Sequence, residues 1–299
     1  MRNIQIITDS CSDLSGALLE QYGIDYARMN TVYHEKETPA SLTWEYYSPK
    51  ELYDIMRGGE RVTTTQVPTE EFNRIFTEYL GKNCDIIYIG CSSKQSGSVN
   101  TASVVSKKLL EQYPDAKIAC IDSLNASIGE GMLAIRAAQM VQEGMSFDAV
   151  AEAVTALRNQ VNQYVTVHSL EFLRKAGRVT ASSAFFGNLM GVKPILISDA
   201  NGVQTPIKKV KGRMTSLKEL VALLKESIID SEQQTVYLAH ADCPQEELDT
   251  VCSMIKEQIP CREIVTVTIG PIIGASIGPD AIGIWAFGKE VVYAVGEAK

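Results

Sequence analysis

Short apolar runs alternate with amphipathic segments through the first half of the chain. Buried-strand patterns lie at residues 4–8, 85–90 and 117–122. Apolar positions at helical spacing lie between and after them, at residues 13–22, 48–57, 69–80, 98–113 and 129–143. This alternation predicts βαβ units and a mainly parallel sheet with flanking helices.

The pattern changes after one more amphipathic segment at residues 146–161. Strand-like runs follow at residues 164–168, 194–198, 203–205, 235–240 and 263–269, and helical patterns at 214–229 and 244–258. Asn201-Gly202, between two of these runs, is typical of a β-hairpin. The 299-residue length suggests two domains. We therefore predict an α/β fold, with an N-terminal α/β domain at residues 1–162 and a C-terminal α+β domain at residues 163–299.

Composition narrows the class of protein. The formal net charge is −8, which argues against nucleic acid as the main partner. The most apolar long segment, residues 270–288, is interrupted by Pro271, Ser276, Pro279 and Asp280, and this argues against a membrane span. No apolar signal-peptide core follows Met1. We expect a cytoplasmic protein.

Motifs for metals and nucleotides are missing from the sequence. The seven cysteines lack C-x-x-C spacing, so we expect reduced, mostly buried thiols and no metal site. The chain contains no H-E-x-x-H motif, no P-loop and no G-x-G-x-x-G after a strand. Metal catalysis and nucleotide hydrolysis are therefore not expected.

Three hydroxyl-rich segments, at residues 8–13, 63–66 and 91–98, are the most distinctive chemical feature. The first and third follow predicted strands, where an open α/β sheet presents its ligand crevice. Ser96 is a plausible N-cap of the next helix, whose free amides would attract an anion. Thr64 and its neighbours precede a helix that Thr69 would cap. These segments indicate a site for an anionic head group, although Ser96 could serve only as a cap and the threonines could form an extended linker.

A catalytic alternative stays open. Ser96 or Ser93 could act as a nucleophile in a hydrolase or transferase for a lipid-like substrate, with His168, His240 or Lys94 as the base. The G-x-S-x-G pattern of a nucleophile elbow is absent from the sequence.

Charge is segregated along the chain. Residues 174–218 contain nine basic residues and one acid, Asp199. This segment could steer a negatively charged partner, or it could be an ordinary solvated face. Within it, residues 184–192 are apolar, and they could line an alkyl channel or pack in the core.

Several motifs, taken in order, resemble those of the DegV family of bacterial fatty-acid-binding proteins. T-T-Q-V at residues 64–67 resembles the family's T-S-Q-P, and S-S-K-Q-S-G at 92–97 matches S-S-x-x-S-G. L-R-K-A-G-R-V at 173–179 resembles L-x-K-G-G-R-I. The opening turn at 8–14, the segment at 187–194 and the glycine-rich turn at 270–283 also resemble family segments. The resemblance covers nearly the whole chain.

This resemblance implies a non-catalytic protein that encloses one long-chain fatty acid between two domains. Hydroxyls would hold the carboxylate, with Thr64 and Ser96 at the family's positions and Thr65 and Ser276 as further contacts. The side chains expected to line the acyl chain are those of Phe185, Phe186, Leu189 and Met190. Apart from this bound lipid, no cofactor is expected.

The resemblance also implies a partner. The best-understood members present their fatty acid to a separate kinase subunit, which makes the acyl-phosphate. Arg174, Lys175 and Arg178 would suit docking of that kinase. Family members often carry histidine where this chain has Ser276, and a serine hydroxyl can bind a carboxylate but supplies no positive charge.

Overall fold

The computed structural model describes residues 2–179 and 191–295. The strands of the N-terminal part are β1 Asn3–Asp9, β2 Asp25–Ala27, β3 Asn30–Tyr33, β4 Lys36–Pro39, β5 Thr63–Thr65, β6 Cys84–Gly90 and β7 Ile118–Asp122. Its helices are α1 Gly16–Tyr22, α2 Pro49–Arg57, α3 Thr69–Gly81, α4 Ser98–Gln112, α5 Ile128–Gln142 and α6 Phe147–Leu157, with a 3-10 turn at Arg158–Gln160.

The main N-terminal sheet has the order β2-β1-β6-β7, and all its strands are parallel. Its strands are apolar because helices cover both faces; Ile86, Ile87 and Tyr88 of β6 are fully buried. A small antiparallel sheet of order β4-β3-β5 lies beside it. Parallel strands place the hydroxyl-rich segments after β1 and β6 at one sheet edge, as the alternation of patterns predicts.

The C-terminal part contains β8 Val161–Thr166, α7 Leu170–Ala176, β9 Val192–Ser198, β10 Gln204–Lys211, α8 Arg213–Ser227, β11 Thr235–His240, α9 Gln245–Gln258, β12 Glu263–Thr268, α10 Pro271–Ile277 and β13 Ile282–Phe287. A 3-10 turn lies at Ser231–Gln233. The sheet order is β10-β9-β8-β13-β11-β12; β11 and β12 are parallel and the other neighbours antiparallel. The predicted fold class is therefore confirmed, while the boundary at residue 162 stays a prediction.

The two parts share a hydrophobic core. Leu14 and Ile89 of the N-terminal part belong to the same buried cluster as Val165, Leu196 and Trp285 of the C-terminal sheet. Polar contacts join the parts as well: the Tyr53 hydroxyl donates to Ile269 O at 2.6 Å. The two parts are therefore joined by apolar packing as well as by hydrogen bonds.

Local starts of helices differ from the predictions. The helix predicted at residues 13–22 begins at Gly16, because Asp13 has a φ of 51° and Ser15 accepts from Leu18 N. Pro68, rather than Thr69, is the cap of α3, since Thr69 is already helical. Gly97 is the cap of α4, and Ser96 lies just before it. The threonines at 63–65, for which a head-group site and an extended linker were both left open, form strand β5.

Three elements of the C-terminal part were not predicted, and helix α7 is the first of them. Residues 270–283, interpreted only as a glycine-rich turn, contain helix α10, which begins with Pro271 at its first turn. Strand β13 follows in the centre of the sheet. Within the described ranges, no helix is both long and apolar enough to cross a bilayer.

Candidate functional site

A cavity of about 350 Å³ lies between the two sheets. One part of its wall is polar and includes Thr64, Thr65, Gln66, Ser93, Ser96 and Ser276. The rest is largely apolar and includes Met29, Val165, Leu196, Ile269, Ile272 and Ile277. The cavity therefore has the amphiphilic lining that a molecule with one polar end and one hydrocarbon end requires.

The threonine strand and the serine turn are bound directly to each other. Val67 N donates to Ser98 Oγ at 3.1 Å, and Ser98 Oγ lies 2.9 Å from Ser96 Oγ. Gln66 Nε2 donates to Thr101 Oγ1 on α4 at 2.9 Å. These bonds hold the segment that follows β5 against the start of α4, and Thr64 and Ser96 line the same cavity.

Ser276 comes to this cavity from the C-terminal part. It lies on α10, which packs against β3, β5 and α7. Its hydroxyl makes a long bond to Ile272 O, 3.4 Å, one turn earlier in the helix. A serine bonded in this way keeps its oxygen lone pairs free and can turn its proton to a ligand.

The polar wall suits an anion. The first amides of α4 point towards Ser96 and Gly97, and Ser98 N donates to Ser96 Oγ at 3.2 Å. A helix N-terminus carries a partial positive charge that stabilises a carboxylate. The exposed Lys94 also lines the cavity. Together these groups offer hydroxyl and amide donors, and two exposed cations, Lys94 and Arg178, lie at the cavity wall.

Two buried thiols, Cys11 and Cys91, line the cavity next to buried acids. A hydrogen bond with Cys91, together with burial, raises the pKa of the Cys11 thiol well above its usual value. Burial likewise raises the pKa values of Asp9 and Glu130, although Tyr88 donates to Asp9 at 2.7 Å. Because both thiols are buried, Cys11 and Cys91 behave as small apolar wall residues.

Asp13 links the first turn to the C-terminal part. Its carboxylate accepts from Ser127 Oγ at 2.5 Å and from Gly270 N at 2.8 Å, immediately before α10. Burial raises the pKa of Asp13 to about 7, in spite of these two hydrogen bonds. The approach of α10 to the cavity thus depends on a carboxyl group that titrates near neutral pH.

A second cavity of about 580 Å³ adjoins the first. Both are lined by Thr64, Ser276 and Arg178. The second cavity also contains Arg61, whose guanidinium donates to Lys175 O at 3.2 Å. The charged side chains that line the second cavity are Arg57, Arg61, Lys175, Arg178, Glu60, Glu171 and Asp280.

The structure brings together all four predicted head-group residues, since Thr64, Thr65, Ser96 and Ser276 line one cavity. Their role as carboxylate ligands stays a prediction. The predicted docking residues Arg174, Lys175 and Arg178 are exposed on or just after α7. The predicted acyl-chain residues Phe185, Phe186, Leu189 and Met190 lie outside the described residues.

Several lining residues were missed from the sequence, among them Gln66, Gln163, Gln204 and Trp285. Gln66 follows the threonines directly, and the T-T-Q string was a usable signal. The other three, Gln163, Gln204 and Trp285, lie on strands. Polar residues at alternate positions of a strand usually indicate the face that is exposed to solvent. Here that face is the wall of the cavity, which no local pattern reveals.

The hydrogen bonds of the candidate nucleophile go to its own turn. Ser96 Oγ bonds to Ser98 Oγ and to Ser98 N. His240 Nδ1 accepts from Cys243 N at 3.3 Å, and His168 lines the second cavity rather than the first. Within the described ranges neither histidine bonds to Ser96. Lys94, the third candidate base, lines the same cavity as Ser96 and Ser93, but the Ser96 hydroxyl is bonded to Ser98 and not to a base, which a serine nucleophile needs.

The fold and the cavity define a class: α/β proteins with an amphiphilic cavity between a parallel and a mixed sheet. A sequence model of the DegV family, described as an uncharacterised protein family, matches residues 3–289. The chain belongs to this family.

Similar proteins cover nearly the whole chain. A DegV domain-containing protein of Clostridium perfringens is 33% identical over 288 residues, which are 96% of this chain and 98% of that protein. One from Streptococcus pyogenes is 31% identical over 287 residues, with 95% and 98% covered.

Solved structures agree with this assignment. A DegV family protein from Thermus thermophilus, described for its fatty acid binding, superposes with a TM-score of 0.87 at 25% identity, covering 97% of this chain and all (100%) of the other. DegV of Bacillus subtilis, described as a fatty acid binding protein, gives 0.82 at 26% identity, with 97% and 100% covered.

Proposed function

We propose that this protein binds a long-chain fatty acid in the cavity between its two domains and presents the carboxylate to a separate kinase. The observation that carries the proposal is the single cavity that joins the hydroxyls of Thr64, Ser96 and Ser276 to an apolar wall. The fatty acid binding described for the Thermus thermophilus and Bacillus subtilis proteins supports the same ligand class.

The acyl chain supplies most of the affinity. Each buried methylene contributes about 0.8 kcal/mol to the binding free energy. A long acyl chain buries many methylenes, so its total contribution is several times the contribution of any one polar contact. The carboxylate must keep hydrogen bonds when it leaves water, because burial of an unpaired charge is costly. Thr64, Ser96 and the first amides of α4 would provide these bonds, while Thr65 and Ser276 would be further donors.

Presentation to a kinase is supported by the second cavity. It adjoins the head-group wall through Thr64 and Ser276, and it contains Arg61 and Arg178. The guanidinium of Arg61 bonds to a backbone carbonyl, so its charge is available to a phosphate or an acidic surface. A phosphoryl donor that enters here would meet the carboxylate from the side opposite the acyl chain. Under this proposal the separate kinase carries out the chemistry and the protein itself is not an enzyme. We propose that it functions in the cytoplasm.

Binding is tested on the purified protein. Lipid extraction and mass spectrometry should find a co-purifying long-chain fatty acid, and the delipidated protein should bind palmitate, measured through the fluorescence of Trp285 at the cavity wall. Thr64→Val and Ser96→Ala each remove a hydrogen bond to a charged group, which contributes about 1.5–3 kcal/mol. We expect palmitate to bind at least about tenfold more weakly to each variant.

Matched controls exist elsewhere in the chain. Thr155→Val and Ser103→Ala remove hydroxyls that bond within α6 and α4, and neither residue lines the cavity. Palmitate affinity should be unchanged in both. Wild-type protein that carries no lipid and binds neither palmitate nor oleate would overturn the proposal.

Presentation is tested separately. Arg174→Glu with Lys175→Glu reverses the charge of α7 without touching the fatty acid cavity. The double variant should bind palmitate normally but support less acyl-phosphate formation by a bacterial fatty acid kinase subunit with ATP. Unchanged acyl-phosphate formation would contradict the docking role of α7.

A further inference from the structure

A chain of three polar side chains runs along the apolar wall of the fatty acid cavity. Trp285 Nε1 donates to Gln163 Oε1 at 3.3 Å, and Gln163 Nε2 donates to Gln204 Oε1 at 2.7 Å. All three residues line the cavity. We call the hydrogen-bonded side chains of Trp285, Gln163 and Gln204 the relay. Because Gln163 is only 4% exposed, the relay is part of the cavity wall rather than of the protein surface.

Strand register explains why the three side chains meet. Trp285 on β13 is directly opposite Gln163 on β8, so both point to one face of the sheet. Val165, two residues after Gln163, is opposite Leu196 on β9 and shares that face. The relay is therefore surrounded by apolar side chains over which a hydrocarbon would lie.

Close packing fixes the position of the indole. A Cβ at Gly283 would come within 2.6 Å of the Trp285 ring and 2.6 Å of Val165. The edge of the ring therefore occupies the space that a side chain at position 283 would need, and this packing restricts where the indole can lie. The relay begins from a rigid donor.

The indole also determines which atom donates and which accepts in each hydrogen bond of the relay. An indole nitrogen can only donate, so the atom of Gln163 that faces it must be the oxygen. Gln163 then presents its NH₂ to Gln204, and the atom of Gln204 that receives it must again be the oxygen. The amide nitrogen of Gln204 is what remains. Within residues 2–179 and 191–295 no oxygen accepts from it, and because Gln204 is only half-buried its protons are open to water.

A plain hydrocarbon chain cannot satisfy this group. Covering the Nε2 protons of Gln204 with methylenes would remove their water without replacing its hydrogen bonds, which is unfavourable. From this relay we propose that the cavity favours long-chain fatty acids that carry an oxygen on the chain, a hydroxyl or a keto group, placed to accept from Gln204. This inference rests on the proposed function and specifies its ligand class.

The test compares stearic acid with its 2-, 10- and 12-hydroxy derivatives on delipidated protein by calorimetric titration. A single hydrogen bond of ordinary strength corresponds to about five- to tenfold in affinity. We expect at least one mid-chain hydroxy acid to bind tighter than stearic acid by this factor, and 2-hydroxystearic acid to gain nothing from the relay.

Two variants locate the effect. Gln204→Met keeps an unbranched side chain of similar length without a donor, and it should bring the ratio of hydroxy acid to stearic acid affinity to about one. Trp285→Phe removes the donor that sets the relay's polarity and should weaken the same preference. Gln245→Met, on exposed α9, is the matched control and should keep the wild-type ratio.

The outcomes separate the two proposals. Equal affinity for stearic acid and every hydroxy acid, or a preference that survives Gln204→Met, would overturn this inference alone. A Gln204→Met variant that loses affinity for all the acids equally would show that Gln204 binds the carboxylate, and would also overturn it. Failure of stearic acid and all hydroxy acids to bind would overturn the proposed function, and this inference with it.

Discussion

Gly97 shows how one residue keeps the two hydroxyl segments together. A Cβ at this position would lie 2.1 Å from Gln66 Oε1. The Gln66 amide would have to move, and its bond to Thr101 Oγ1 would break. Because the obstructing atom is the end of a flexible side chain, we expect the fold to tolerate the change and the site to suffer from it.

We therefore expect Gly97→Ala to weaken palmitate binding several-fold while the free energy of unfolding falls by less than about 1 kcal/mol. Titration of palmitate and urea denaturation measure the two effects. Gly81→Ala is a suitable control, because nothing lies within 4 Å of a Cβ placed there. A Gly97→Ala protein with wild-type affinity would show that the Gln66 bond is unimportant for the site.

Asp13 gives the protein a pH dependence near neutrality. Its pKa is about 7 in the folded protein against 3.8 for an ordinary aspartate. Between these values the native state binds more protons than the unfolded state, so this group makes the free energy of unfolding fall as pH rises, and the loss is complete above about pH 7.

Asp13→Asn removes this titration. An asparagine can still accept from Gly270 N and can donate to Ser127 Oγ. We expect the variant to match wild type near pH 4 and to become more stable than wild type as pH rises to 8, by up to about 4 kcal/mol. Urea denaturation across this range checks the result, and a difference that does not change with pH would contradict it.

At the residue scale, sequence reasoning identified the groups that have a chemical signature. Thr64 and Ser96 are hydroxyls in short polar segments beside apolar strands, and the structure places both on one cavity. Gln163, Gln204 and Trp285 were missed because their contact depends on the register of three strands that are far apart in sequence.

At the scale of elements, the β9–β10 hairpin docks on the serine turn. Ser92 Oγ donates to Gly202 O at 2.8 Å, and Gln95 Nε2 donates to the same oxygen at 3.1 Å. Gly202 has a φ of +80°, and a Cβ there would lie 2.3 Å from Ser92 Oγ and 3.0 Å from Leu124 Cα. Both the turn and the close contact require glycine.

Gly202→Ala should lower the free energy of unfolding by about 2–3 kcal/mol, through backbone strain and the clash with Ser92. Gly144→Ala is a matched control, since Gly144 has a φ of +85° with nothing within 4 Å of a Cβ. In this control the free energy of unfolding should fall only by the backbone strain, about 1 kcal/mol. Equal losses in the two variants, measured by urea denaturation, would contradict the role of hairpin docking.

The regular elements were predictable, and the exceptions have local causes. Strand β11 lies at the predicted residues because its apolar run is continuous. The threonines of β5 were not predicted as a strand, because the strand is three residues long and pairs with β3, an element with no apolar run. Helix α10 is short and glycine-containing, so its amphipathic period was not visible.

At the scale of the whole molecule, the cavity lies where the two domains meet. Arg57 of α2 donates to Asp242 and to Asp280 at 2.7 Å each and so joins the N-terminal part to the C-terminal sheet. A ligand that contacts both domains adds to these links, and it stabilises the native state because the unfolded chain cannot bind it.

Fatty acid should therefore raise the melting temperature of the delipidated protein. At a free concentration one hundred times the dissociation constant, the stabilisation is about 2.7 kcal/mol, which corresponds to several degrees for a chain of this size. Differential scanning calorimetry with palmitate measures the shift, and methyl palmitate, which lacks the carboxylate, should give a smaller one. An unchanged melting temperature at saturating palmitate would contradict binding across the two domains.

The fold class at this scale followed from the order of patterns, whereas the way the two sheets enclose a cavity did not. The shared core joins Leu14 to Trp285, and pairs so distant along the chain leave no mark on local periodicity. The resemblance of ordered motifs supplied the expectation of an enclosed ligand.

A crystal structure of the delipidated protein after addition of palmitate tests the central claim most directly. We expect the carboxylate to lie within hydrogen-bond distance of the hydroxyls of Thr64 and Ser96, with the chain running over Val165 and Leu196. A palmitate bound elsewhere, or one whose carboxylate points away from both hydroxyls, would contradict the account.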